Sequence, residues 1–280
     1  MLALGARLAA ITAASLGWLL MVVLPVTGLA LMAGGLFGTR PPGPLAADWA
    51  QRGMAVGVGI WLWQWVKLRL SPVGYRVTRL FGSAREIGTV QVGRHGAGRR
   101  LWVAPGARVQ GYALAGLGRG AVVLSEPAAR LPGPELRWLL AHELSHLERG
   151  DAAASLWWVA GMRTLGLGVS LSGFLVRVTA RLPLIGLIAR TYYGLADRSL
   201  RTALWLFRLI DRAVGRAMEY RADRDAALAA SPLAGVRLLG RLSCPLEPDF
   251  GLFATHPPTA TRIKRLERLA GREPGHGGAA

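Results

Sequence analysis

Apolar positions dominate the first quarter of the chain. From Leu8 to Thr39 no charged residue interrupts the run, which is bounded by Arg7 and Arg40. At ~1.5 Å per helical residue this exceeds the ~30 Å hydrocarbon core of a bilayer, so a retained transmembrane helix is predicted, tilted or kinked at Pro25. A cleaved signal peptide carries an apolar core of only ~7–15 residues. A second apolar run, Gly53–Val66, is flanked by Arg52 and Lys67, and Trp49, Trp61, Trp63 and Trp65 suit a headgroup-level aromatic belt. Pro41-Pro42-Gly43-Pro44 cannot continue a helix, which predicts a loop and a two-helix hairpin over residues 1–70.

The pattern then shortens. Residues 71–125 alternate short apolar stretches (Thr89–Val92, Leu101–Val103, Val109–Ala113, Ala121–Leu124) with glycine-bearing loops, which predicts a small antiparallel sheet. From Pro134 the period changes to that of a helix. Pro134 and Glu135 suit its first turn, Gly150 its stop, and Leu136, Leu140, Leu144 and Leu147 share one face. A further helix is predicted from about Asp211 to Ala230, ending before Pro232. Between them, residues 152–210 read as an insertion. Ala152–Val176 carries only Arg163 and is apolar enough to span or re-enter a bilayer. The following stretch holds Arg177, Arg181, Arg190, Arg198, Arg201 and Arg208, too many for a lipid-exposed span, so with Trp157, Trp158, Trp205 and Phe207 it reads as interfacial amphipathic helices. The chain thus divides into a membrane hairpin (1–70), two halves of a globular domain (71–151 and 211–280) and the membrane-embedded or membrane-hugging insertion. The fold class is α+β, mainly α, with integral membrane helices.

Composition narrows the field. Of 280 residues, 52% are hydrophobic and 18% charged, which excludes a disordered chain, and the single cysteine, Cys244, excludes a disulfide-stapled fold. The net charge is +18, but all the basic residues except Lys67 and Lys264 are arginine, without the aromatic-interleaved pattern of a nucleic-acid binder. Nucleic acid is therefore not an expected partner; anionic lipid headgroups are. Lys67, Arg69, Arg76, Arg79 and Arg85 crowd the far side of the hairpin, which by the positive-inside rule places everything after Lys67 in the cytoplasm.

The chemistry is written into the Pro134 helix as His142-Glu143-Leu144-Ser145-His146. Side chains four apart on a helix project within ~40° of each other, so both imidazoles converge on one divalent ion at bonds of about 2.0–2.1 Å. Glu143 lies on the flank of that site, where it takes a proton from the attacking water rather than binding metal. With five histidines in the chain, random placement produces this pattern roughly 0.003 times.

A catalytic zinc site needs a third protein ligand. The candidates are His95, His256, His276 or a carboxylate on another helix. Glu219 and Asp223 lie four apart in Met218-Glu219-Tyr220-Arg221-Ala222-Asp223, and Ala222, Ala226 and Ala227 permit close approach to another helix. Glu219 is the favoured ligand, with Asp223 accepting the free N–H of a zinc histidine, His142. Taken alone, the pair would read as a solvated charged face with Arg221 and Arg224. His95 and His276 lie in polar glycine-rich stretches and carry no assigned role.

Together these segments resemble a known family. His142-Glu143-x-x-His146 with its tail Glu148-Arg149-Gly150-Asp151, Glu219-x-x-Ala222-Asp223, Thr255-His256-Pro257-Pro258 and Arg262-Ile263 are similar to the motifs of HtpX-type membrane zinc metalloproteases, whose eukaryotic relatives are the CAAX prenyl proteases. The resemblance covers most of the chain. It implies a gluzincin-like fold, one Zn²⁺ per chain, two further transmembrane helices in the insertion, and proteolysis of membrane or misfolded proteins at the cytoplasmic face. His256 matches the histidine of the family's His-Pro segment and is a candidate to stabilise the oxyanion or to ligate zinc in a resting state. Where the family has an Asn-Ala-Phe-Ala-like edge strand, this chain has Gln110-Gly111-Tyr112-Ala113. A strand there would hold an extended substrate main chain to main chain.

Two other functions compete. A BlaR-like sensor peptidase shares a membrane metal helix but cuts a regulator, and the Glu219 and His256 segments favour the HtpX-like group instead. A non-hydrolytic membrane binding protein is disfavoured by the intact Glu143, whose loss would spare metal but abolish hydrolysis.

Overall fold

The computed structural model describes residues 43–91, 98–118, 120–179, 185–242 and 257–271. The predicted first membrane helix, Leu8–Thr39, lies outside them, as do His95, Cys244, His256 and His276. The elements run α1 (Gly43–Leu70), α2 (Val73–Phe81), β1 (Arg85–Val90), β2 (Arg99–Ala104), β3 (Gly111–Leu114), β4 (Ala121–Ser125), α3 (Glu126–Ala129), α4 (Gly133–Glu148), α5 (Asp151–Thr179), α6 (Ile185–Ala229), α7 (Pro232–Leu242) and α8 (Thr259–Ala270). They form two compact units: the described residues up to Leu68 with Leu156–Ile210, and those of Arg69–Ser155 with Asp211–Ala280.

In the first unit, α1 begins at Gly43, two residues earlier than a four-residue loop at 41–44 would allow. Proline is tolerated in a first helical turn because the N–H it lacks would have no partner there, and Pro44 takes that place. The tryptophans of α1 do not share one environment. Trp61 and Trp65 pack on Trp157 of α5, with ring centroids 4.9 and 4.4 Å away, while Trp63 is exposed and has Lys67 Nζ 5.9 Å from its ring. The helix α5 packs on the first half of α6 through Trp158, Leu165 and Leu200, flanked by Met162, Val169 and Leu204. Among the described residues, Asp151–Val178 is the one stretch long and apolar enough to cross a membrane. Of the arginine-rich stretch, Arg177 lies near the end of α5, and Arg190, Arg198, Arg201 and Arg208 lie in the front of α6, a single helix of 45 residues whose last part is the helix predicted from Asp211. No proline interrupts the chain between Pro183 and Pro232, so nothing stops the helix where the composition changes.

The second unit is built on a four-stranded sheet in the order β1-β2-β4-β3. The sheet is mixed, not antiparallel as the strand pattern predicted. β1–β2 and β3–β4 are antiparallel, but β2 and β4 run parallel, with Leu101 opposite Val122 and Val103 opposite Leu124. The chain reverses between β2 and β3 but leaves a strand-wide gap, which β4 fills after reversing again. Two turns thus deliver a parallel pair without the helical crossover such a pair otherwise requires. Every residue of β4 is buried. Val122 and Leu124 face the core shared with α4, α6, α7 and α8, and Ala121 and Val123 face Val73 and Val77 of α2. An apolar run without polar alternation is what a strand covered on both faces requires.

The helix α4 packs on β3 and β4 at one side and on α7 at the other. Its burial is therefore broader than the predicted leucine stripe. Trp138, Ala141, His142 and Ser145 are buried with Leu144, while Leu136, Leu140 and Leu147 are half-buried at the margins. The approach of α7 is close enough that a Cβ on Gly235 would stand 2.5 Å from Trp138 Cε2.

Candidate metal centre

α4 carries His142, Glu143 and His146 one helical turn or less apart, and the C-terminal part of α6 brings Glu219 opposite them. His142 Nε2 lies 3.3 Å from His146 Nε2 and 3.5 Å from Glu219 Oε2, and His146 Nε2 lies 3.8 Å from Glu219 Oε1. Their ligand atoms all lie within 4.8 Å of one another. Three donors bound tetrahedrally at about 2.0–2.2 Å stand roughly 3.3–3.6 Å apart, so this set fits a zinc ion in spacing and in chemistry.

The outward ring nitrogens are also engaged. His142 Nδ1 is 3.2 Å from Asp223 Oδ1, and His146 Nδ1 is 3.0 Å from Asp151 Oδ2. A carboxylate at Nδ1 holds the proton there and leaves Nε2 with a free lone pair. Asp223, four residues after Glu219, thus lies beside the ring of His142. Asp151 was not assigned from sequence; the signal was present as an acidic residue just past the glycine that ends α4. Gly150 has φ of +75°, a left-handed conformation that lets the chain double back and start α5 with Asp151 facing His146.

Arginines tie the carboxylates in place. Arg221 donates to both oxygens of Asp151. Arg262 of α8 donates to Asp223 Oδ2 at 2.8 Å and sits 3.2 Å from Glu219 Oε2. Ser145, inside the metal motif, donates to Asp225 Oδ2 at 2.7 Å, and Arg149 forms a fork on the same carboxylate with two bonds of 3.1 Å. The last cluster fastens α4 to α6 one turn beyond the candidate ligands. Each pair joins positions about 40 to 80 apart, and local spacing carries no signal for such pairings.

The centre is dry on one side. His142 is 4% exposed and stacks on buried Trp138 at a centroid distance of 5.3 Å. Burial alone would lower the His142 pKa, but Asp223, Glu219 and the charge of Glu143 outweigh it and raise it to about 9. Burial pushes the Glu143 carboxyl above the ordinary carboxylate range, against the pull of His142 and His146. For Asp223 the order is reversed: burial would raise it, but His142 and Arg262 hold it below that range.

Gln110, Gly111, Tyr112 and Ala113 lie at the sheet margin. Gly111–Leu114 form β3, the outermost strand beside β4, and Gln110 precedes it with its N–H on Ser125 Oγ at 3.0 Å. Gly111 abuts the metal motif. A Cβ built there would stand 2.8 Å from Glu143 Oε1 and 3.0 Å from its Cγ. Gly111→Ala should therefore displace a flexible carboxylate rather than the backbone. The expected outcome is unchanged zinc content and melting temperature with turnover reduced about 10²-fold, the cost of misplacing a reacting group by about 1 Å. His256 is outside the described residues. Its neighbour Pro258 precedes the first turn of α8, the helix that carries Arg262.

Comparison with known proteins follows the same residues. Residues 99–270 match Peptidase family M48. The chain is 29% identical over 178 residues to a protease HtpX homolog of Pseudarthrobacter chlorophenolicus, covering 51% of this chain and 55% of the relative. It is 30% identical over 182 residues to a protease HtpX homolog of a Sulfurihydrogenibium species, covering 51% and 58%. A third HtpX homolog, from Salinibacter ruber, is 29% identical over 170 residues, or 49% of this chain and 55% of its own length. The chain thus spans little more than half the length of these curated relatives. Among solved structures, S. mikatae Ste24p aligns over 86% of this chain and 61% of its own, with 17% identity and a TM-score of 0.47.

Proposed function

We propose that this chain, which belongs to peptidase family M48, is a membrane-bound zinc endopeptidase in which His142, His146 and Glu219 hold the metal and Glu143 is the general base. The observation that carries the reading is the meeting of two imidazole nitrogens and one carboxylate at separations of 3.3–3.8 Å, with Glu143 on the same helix. A bound zinc ion supplies Lewis-acid polarisation of the scissile carbonyl and lowers the pKa of water. Glu143 takes the proton of the attacking water and returns it to the leaving amine. Its raised pKa suits both halves of that task, because a base titrating nearer neutrality also serves as an acid. Asp223 and Asp151 keep the imidazoles in the tautomer that presents Nε2, and Arg262 balances the charge of Glu219 and Asp223. For His256, outside the described residues, the family resemblance alone supports a role in stabilising the developing oxyanion or in ligating zinc in a resting state.

The outer edge of β3 pairs with no strand among the described residues and is free to add a substrate strand by main-chain hydrogen bonds. Recognition of that kind reads extended backbone more than sequence, which favours unfolded or misfolded proteins and exposed segments of membrane proteins as substrates. Membrane residence is supported by the span in α5, whose Leu167, Leu171, Phe174 and Val178 form an exposed apolar stripe at helical spacing. The basic residues that follow α1 support a cytoplasmic position for the metal centre.

The test is hydrolysis. The full chain, purified in detergent and loaded with zinc, should cleave an unfolded protein substrate, lose that activity to a chelator and regain it when zinc is restored. Zinc-loaded protein that cleaves nothing would instead favour a binding role without hydrolysis.

A further inference from the structure

A second concave feature lies on α6 and α8. Tyr220, Arg224, Arg265, Arg268 and Leu269 line a pocket of about 310 Å³. That is near the lower end of the ~300–1,000 Å³ range of small-ligand sites. Arg265 and Arg268 are three apart on α8 and so share a face, and Arg224 reaches the same space from α6. Arg265 is set in position by stacking: its guanidinium carbon lies 3.7 Å from the centre of the Tyr220 ring.

Several other arginines of this unit are paired with carboxylates. Arg221 is held by Asp151, Arg262 by Asp223 and Glu219, Arg149 by Asp225, and Arg241 by Glu135. Arg224, Arg265 and Arg268 have no carboxylate partner among the described residues. The chain carries a surplus of arginine, and Arg268, in the last turn of α8, is favoured there by the helix dipole. Neither fact accounts for three arginines lining one hollow.

We propose that Tyr220, Arg224, Arg265 and Arg268 form a binding site for a phosphate group, free or carried as the headgroup of an anionic phospholipid. A phosphate presents several oxygens in the fork geometry that guanidinium groups recognise, and the Tyr220 hydroxyl adds a neutral donor. Leu269 supplies an apolar wall beside the charges, which suits a headgroup with attached glycerol as well as a free anion.

The experiment uses the full chain in neutral detergent, with three probes titrated calorimetrically: inorganic phosphate, a short-chain phosphatidylglycerol and the matching phosphatidylcholine. Phosphatidylglycerol should bind more tightly than phosphatidylcholine, and the double variant R265Q/R268Q should weaken binding at least tenfold. A charged hydrogen bond lost per guanidinium predicts about that much each. R265K/R268K, which keeps the charge but loses the fork and the stacking, should fall between. Zinc content and lipid-free hydrolysis, which these side chains do not touch, report that the variants are folded. Binding of inorganic phosphate with the same dependence on the arginines identifies a general phosphate site. Binding of phosphatidylglycerol alone identifies a lipid headgroup. Equal affinities in parent and folded double variant, or no binding of any probe by the parent, overturn the proposal.

Discussion

Replacing Glu143 with glutamine should lower turnover by about 10²–10⁴-fold while leaving zinc bound at one per chain. That range is what a positioned general base contributes. The substitution keeps shape and volume beside Gly111, which lies close against the Glu143 side chain. It removes only the ability to accept a proton, at a buried position on the helix that carries His142 and His146. Steady-state hydrolysis together with metal analysis of the same sample separates the two effects. Turnover equal to the parent would remove Glu143 from the chemistry, and loss of zinc with loss of turnover would make it a ligand instead.

The second large effect belongs to Glu219. Glu219→Ala should weaken zinc binding by more than the 10–100-fold typical of losing an outer hydrogen-bond partner, and hydrolysis should fall with it. Two causes add. One of three protein donors disappears, and Arg262, whose guanidinium sits 3.2 Å from Glu219 Oε2, is left facing a dication with one carboxylate fewer to balance it. Competition against a chromophoric chelator measures the affinity directly. Glu219→Asp, which keeps the charge on a shorter arm, should recover part of it. Parent-like affinity in the alanine variant would show that another residue completes the site.

Both proposals start from local signals in the sequence. The interval from His142 to His146 places both rings on one side of a helix whatever surrounds it, and the interval from Glu219 to Asp223 does the same for the carboxylates. What was not readable depends on encounters between distant stretches. Asp151 reaches His146 only because Gly150 turns the chain, and its tether Arg221 lies seventy positions away. Arg262 was visible only as part of a family motif, with nothing in the sequence to indicate that it would clasp both Glu219 and Asp223. The parallel pairing of β2 with β4 escaped for a related reason. Alternation of apolar residues marks a strand but not its neighbour, and the loops at Pro105-Gly106 and Gly116–Gly120 read equally well as successive tight hairpins. Spaced arginines argue about what surrounds a helix and not about where it ends, so the composition did not mark α6 as one helix of 45 residues.

Anomalous diffraction at the zinc edge from crystals of the full zinc-loaded chain addresses the metal assignment most directly. A single strong peak per chain is predicted, bonded to His142 Nε2, His146 Nε2 and a carboxylate oxygen of Glu219, with Asp223 and Asp151 touching only the far sides of the rings. A peak bonded to Asp151 or Asp225 and remote from Glu219, or no ordered zinc near α4 at all, would contradict it.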